Sequence, residues 1–204
     1  ISGENGTLTV NVNGTYSYKA DANTGGKADS FKFEITDADN DKAEATIDIT
    51  ISAATGPTAT TKVTVDEKGL FDSTDNSEIA NVTVPGYTIV SGGDGTYGNI
   101  SLVDGKWVYT LTGTFEHTGE GTDTAEDADT VTIKVKDAQG NTFNVDVKVD
   151  IKDAVPTISA SDNLTAVSGN ESETTGTLSH NFGADGTGSL TVNGNTYTVP
   201  TEGN

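Results

Sequence analysis

Three carboxylates, Asp37, Asp39 and Asp41, stand at alternate positions at the end of the stretch DSFKFEITDADND, residues 29–41. Alternate carboxylates on a tight turn can converge on one hard cation such as Ca2+, which takes six to eight oxygens at roughly 2.3–2.6 Å, some of them backbone carbonyls. The same residue types also form good turns with no ion at all. The spacing is not that of an EF-hand loop: Lys42 occupies the position that needs glycine, and Ala45–Ile51 alternates as a strand where a helix should begin. A related stretch, DTVTIKVKDAQGN, follows 100 positions later at residues 129–141. It keeps Asp137 but has Gln139 and Asn141 in place of two carboxylates, so any cation it holds should bind more weakly.

Two further groups of acids are candidate ligands. Asp29 and Asp129 stand one strand length before the turns, and Asp129 clusters with Glu126 and Asp127. In the junction VDIKDAVP, Asp153 is placed to share a cation with loops of both neighbouring domains, which would stiffen the joint. The earlier junction, ISAATGP, has Ala53 at the matching place and is expected to be looser.

Catalysis has little to stand on. His117 and His180 lie in different parts of the chain, each flanked by turn residues, and are expected at the surface. There is no cysteine, and no GxSxG elbow. The loop GGDGTYG at Gly92–Gly98 lacks the lysine and the strand-turn-helix setting of a phosphate cradle. Trp107 and Tyr109 share one strand face and are read as core packing.

The elements that must position these residues are strands. Phe31, Phe33 and Ile35 alternate with polar residues, as do Val131, Ile133 and Val135, and each run passes through its acidic turn into a second alternating run. Both are β-hairpins with an acidic tip. Earlier in each copy a further hairpin is expected, GTLTVNVNGTYSY beside GNISLVDGKWVYT, with Asn13-Gly14 read as a type I′ turn. An offset of about 100 residues is the size of a domain. The expected organisation is therefore one complete sandwich at 57–155, the C-terminal half of a repeat at 1–56, and the N-terminal half of another at 156–204. In the last block, strands are expected at Leu164–Val167, Leu178–Phe182, Leu190–Val192 and Tyr197–Val199. Neither half should close a sandwich alone, and completion of one molecule's head by another's tail is the expected self-association.

Composition narrows the partners. Eleven lysines and 31 acids give a formal net charge of −20, which repels nucleic acid and anionic lipid and attracts cations. No apolar run approaches the length of a membrane span, so no membrane insertion is expected.

The repeat resembles the immunoglobulin-like repeats of giant RTX adhesins exported by type I secretion, the VCBS-type repeats among them. The resemblance is carried by GTLTVNVNGTYSY, by DSFKFEITDADNDKAEATIDITI with a Pro-started junction after it, and by HNFGADGTGSLTVNG at 180–194. It implies an all-β chain of tandem immunoglobulin-like β-sandwiches on the bacterial cell surface, with neighbouring repeats of the same chain as its partners. It also implies a non-enzymatic, calcium-binding extender that holds a terminal adhesive module away from the cell. Gln139 and Ala53 depart from a uniform calcium pattern. Proteins of this type also contain glycan- or protein-binding modules, and that role stays open.

Overall fold

The structure is a computed structural model and describes residues 1–119, 121, 123–160, 175–183, 186 and 188–198. Period-2 alternation makes strands throughout. The first block forms β1 (Gly6–Val10), β2 (Tyr16–Ala20), β3 (Ala28–Thr36) and β4 (Lys42–Thr50). The middle block forms β5 (Thr61–Asp66), the one-turn helix α1 (Lys68–Phe71), β6 (Ile79–Asn81), β7 (Thr88–Ser91) and β8 (Gly93–Asp94). It continues with β9 (Gly98–Val103), β10 (Lys106–Leu111), β11 (Thr124–Lys136) and β12 (Thr142–Lys152). The last block holds β13 (Thr157–Ala160), β14 (Leu178–Asn181), β15 (Ser189–Val192) and β16 (Asn195–Thr198). The strand expected at Leu164–Val167 lies outside the described residues.

The chain divides into two compact units. One is Ile1–Thr58 with Val84–Val90 and Lys134–Asn144; the other is Ala59–Thr83, Ser91–Ile133 and Val145–Asn204. In the first unit, among the described residues, β1 pairs only β2 and β3 only β4, both antiparallel. Leu8 and Phe31 supply its buried apolar centre together with Ile51, Val84, Ile89 and Val135.

The strands of the middle block form two four-stranded sheets, ordered β6-β10-β9-β8 and β5-β12-β11-β7. β5 runs parallel to β12, with Thr61 opposite Val147 and Asp66 opposite Lys152. β5, the first strand of the middle block, thus lies beside β12, the last strand of that block. The inward positions of β11 and β12 read Val131, Ile133 and Val147, Val149, Ile151, all buried. Each such side chain contributes roughly 1.5–3 kcal/mol by leaving water.

The hairpin turns are of two kinds. Asp104 and Gly105 both have positive φ, 49° and 77°, as a two-residue type I′ loop requires, and Asn193 and Gly194 repeat this at 49° and 84°. Asn13-Gly14 differs from its expected type I′ geometry, because only Gly14 has a positive φ. There the Gly14 amide donates to the Asn11 carbonyl at 3.0 Å and the Asn11 amide to the Thr15 carbonyl at 2.8 Å, a type I turn closed by one left-handed residue. The acidic turns share this form: Asn40 and Gly140 take the left-handed place, with φ of 74° and 92°.

Candidate functional site

The first acidic turn is closed by its leading carboxylate. Asp37 Oδ1 accepts from the Asp39 amide at 3.3 Å and the Asp41 amide at 2.9 Å. The neighbouring Asp39 carboxyl and the Asp41 amide hold Asp37 below the ordinary carboxylate value. Asp37, Asp39 and Asp41 are all exposed, and each offers an oxygen within 4.8 Å of the others. An all-oxygen, charge-dense set of this kind fits a hard cation, with water or carbonyls completing the shell.

The second turn repeats the backbone and changes the chemistry. Asp137 Oδ1 accepts from the Gln139 and Asn141 amides at 2.9 and 2.8 Å, while Asn141 Nδ2 donates to Asp137 Oδ2 at 2.8 Å. This side-chain amide leads the groups that lower the Asp137 pKa. Asn141 Oδ1 in turn accepts from the Asn23 amide at 2.9 Å, and Asn23 Oδ1 accepts from the Thr142 amide at 2.7 Å. With Asn141 at its end, this turn is a hydrogen-bonded docking point for Asn23.

Asp29 and Asp129 are buried and play matching parts. Asp129 accepts from the amides of Thr96, Tyr97 and Thr130 at 2.8, 3.0 and 2.8 Å, and from the Tyr109 hydroxyl at 2.8 Å. Burial alone would raise its pKa, but these donors outweigh that and hold it low. Burial, and then the bond to Asp129, push the Tyr109 hydroxyl far up. In the first unit Asp29 accepts from the Asn5 amide, Asn5 Nδ2 and the Tyr18 hydroxyl, the last at 2.6 Å. The Tyr18 bond is the main cause of the low Asp29 pKa, and burial followed by Asp29 pushes Tyr18 up to about 12.

A glycine completes each copy of this arrangement. A Cβ on Gly98 would lie 2.6 Å from the Tyr109 hydroxyl, and one on Gly6 would lie 2.5 Å from that of Tyr18. Each aspartate therefore staples a tyrosine, a glycine-flanked strand start and the preceding loop. Asp127 is not drawn into the Asp129 arrangement; it is exposed and pairs with Lys62 at 3.2 Å.

The loop Gly92–Gly98 is tied down by Asp129, and the Tyr97 ring packs edge-on against Phe115 at 5.3 Å between centroids. Asp153 is buried at the end of β12, its amide donating to the Asp123 carbonyl at 3.0 Å. His117 is not at the surface as its turn-like neighbours suggest: its side chain is 1% exposed, against Glu67 and Asp123. Sequence reasoning also passed over Glu67, which is fully buried.

Residues 1–50 match the family model of a bacterial Ig domain. No curated protein matches the chain. The match agrees with the all-β, immunoglobulin-like fold and supports a bacterial Ig-like repeat of a non-enzymatic, structural kind, a type of domain found in surface proteins. Among the described residues no helix is long and apolar enough to cross a membrane.

Proposed function

We propose that this chain is an extender segment of a bacterial cell-surface adhesin of the RTX type, stiffened by calcium and spacing a terminal adhesive module from the cell. The observation that carries the reading is the Asp37, Asp39 and Asp41 trio, with oxygens within 4.8 Å of one another, inside the same block that matches a bacterial Ig domain. Calcium bound there neutralises clustered carboxylates, and because it binds only the folded turn it stabilises the fold by mass action. Asp37, Asp39 and Asp41 hold the ion, and the Asx-type closure by Asp37 keeps their spacing in its absence.

Neighbouring repeats of the same chain are the first partners. Head-to-tail association is the second, and its support is that, among the described residues, β1–β2 and β3–β4 form separate two-stranded sheets. Ile158 and Tyr197 in the last block are 59% and 54% exposed, apolar surface that a completing strand would cover. Light scattering across a wide concentration range should then find species larger than monomer; monomer throughout would reject the association. A module that binds glycan or protein through Gly92–Gly98 has weaker support, because Tyr97 packs on Phe115 instead of standing outward.

The test of calcium stiffening is thermal unfolding in excess chelator and in millimolar calcium at fixed sodium chloride, with magnesium as the control. A rise of many degrees with calcium alone is expected. No shift would mean that the acidic turn is solvated surface.

A further inference from the structure

A second cluster lies at the β5–β12 end of the middle block, and of its members only Asp153 was among the cation ligands expected from the sequence. Three inward-facing runs arrive there. β5 carries Val63 and Val65 and leads on to Glu67; β12 carries Val149 and Ile151 and leads on to Asp153; the segment after β10 brings Phe115 and then His117. Each alternation ends in a titratable side chain where an apolar one would continue the core. Glu67 is 0% and Asp153 4% exposed, and the His117 side chain 1%.

The backbone holds these groups together. The Glu67 amide donates to the Lys152 carbonyl at 3.0 Å, the Asp153 amide to the Asp123 carbonyl at 3.0 Å, and the Phe115 amide to Glu67 Oε1 at 2.5 Å. One ligand atom from each of Glu67, His117 and Asp153 lies within 4.8 Å of the others. His117 Nε2 is 3.4 Å from Glu67 Oε2, and Nδ1 is 2.5 Å from Asp123 Oδ1, yet neither ring nitrogen makes an aligned hydrogen bond. A buried imidazole with the Glu67 and Asp153 carboxylates near one another beside it and Asp123 on its far nitrogen is arranged as a metal ligand with a carboxylate partner is.

Charge points the same way. Two buried carboxylates, Glu67 and Asp153, and the partly exposed Asp123 gather around one imidazole, a set of charges that attracts a cation.

We infer that Glu67, His117 Nε2 and Asp153 bind a divalent cation of the zinc class, with Asp123 orienting the imidazole through Nδ1. The imidazole decides the class. Calcium takes oxygen ligands, whereas zinc takes His nitrogen with Asp or Glu oxygen at about 2.0–2.2 Å. Ligand atoms on a tetrahedron of that radius stand roughly 3.4 Å apart, the separation found between His117 Nε2 and Glu67 Oε2. A carboxylate on the far ring nitrogen is the usual second partner of a metal-bound histidine. This assignment does not depend on calcium binding at Asp37–Asp41.

The test is titration of the chelator-stripped, full 204-residue chain with Zn2+, and separately with Ca2+ and Mg2+, by calorimetry. Co2+ serves as a visible probe of nitrogen and oxygen coordination. Tight uptake of one Zn2+ is expected, unchanged in Asp37→Asn/Asp39→Asn and in His180→Ala. It should be lost in His117→Ala and Glu67→Gln, and weakened about 10–100-fold in Asp123→Asn. Should His117→Ala fail to fold, ring-nitrogen NMR of the wild type decides, because Zn2+ should move the His117 Nε2 resonance and leave His180 unmoved. No stoichiometric zinc uptake, uptake that moves no His117 resonance, or calcium binding here in preference to zinc would each overturn the assignment.

Discussion

Replacing Asp129 tests the staple most directly. In Asp129→Ala the Tyr109 hydroxyl, on a residue 0% exposed, loses its acceptor at 2.8 Å, and three amides lose theirs. An orphaned buried donor costs about 1–3 kcal/mol, and each partly buried amide that rehydrates imperfectly adds about 0.5–1.5 kcal/mol. The expected loss is about 4 kcal/mol, which at a urea slope of about 2 kcal/mol/M lowers the midpoint by about 2 M. Trp107, the only tryptophan in the chain and a member of β10, reports the transition by fluorescence. Tyr109→Phe should cost less, since Asp129 keeps its three amides. Asp129→Asn supplies the pH signature. The folded-state pKa of Asp129 lies below its unfolded value. Its contribution is therefore present above the unfolded pKa, near 3.9, and is lost as pH falls through the folded one. The gap between wild type and Asp129→Asn should be full at neutral pH and shrink below about pH 4. A loss under about 1 kcal/mol for Asp129→Ala, or a gap to Asp129→Asn that is the same at neutral and acid pH, would refute the staple.

Other perturbations follow from the same contacts. Gly98→Ala forces a methyl to within 2.3 Å of the Thr110 carbonyl and against the Tyr109 ring, so urea melts should show a loss of about 1–3 kcal/mol by overpacking. Asp37→Asn/Asp39→Asn should lower calcium affinity in a calorimetric titration and leave calcium-free stability unchanged or higher, because like-charge repulsion is relieved. Gln139→Asp/Asn141→Asp rebuilds the first turn's chemistry in the second. It loses the Asn141 amide bond to Asp137, so melting should drop in chelator and recover in calcium if three carboxylates suffice.

Strand alternation made the hairpins around both acidic turns legible, and the 100-residue offset from Asp29 to Asp129 made their equivalence legible. Their buried role was not, because an aspartate before a strand looks the same whether it faces water or a tyrosine from another strand. Turn geometry was half legible. Asp104-Gly105 forms the two-residue loop its sequence favours, whereas at Asn13-Gly14 the pairing of Val10 with Tyr16 leaves room for a longer turn. His117 was misread because its glycine and threonine neighbours suggest a loop. The signal was there in period 2: Leu111, Phe115 and His117 face inward while Thr112, Thr114, Glu116 and Thr118 are exposed. Glu67 sits in the same phase as Val63 and Val65. A charged residue in an inward phase is easily taken for the end of the strand; here it marks a site.

The parallel pairing of β5 with β12 has a mechanical consequence. The chain enters this ladder at Thr61 and leaves it at Lys152, which stand at opposite ends of six consecutive register pairs. Tension applied through the two ends pulls along the strands and loads those bonds side by side, so they must give way together. Two strands paired antiparallel and pulled from the same end would unzip one bond at a time, at lower force. In single-molecule pulling, the β5–β12 ladder should therefore yield as one high-force event, and a proline at Val149 in β12 should lower that force more than one at an exposed position of β1.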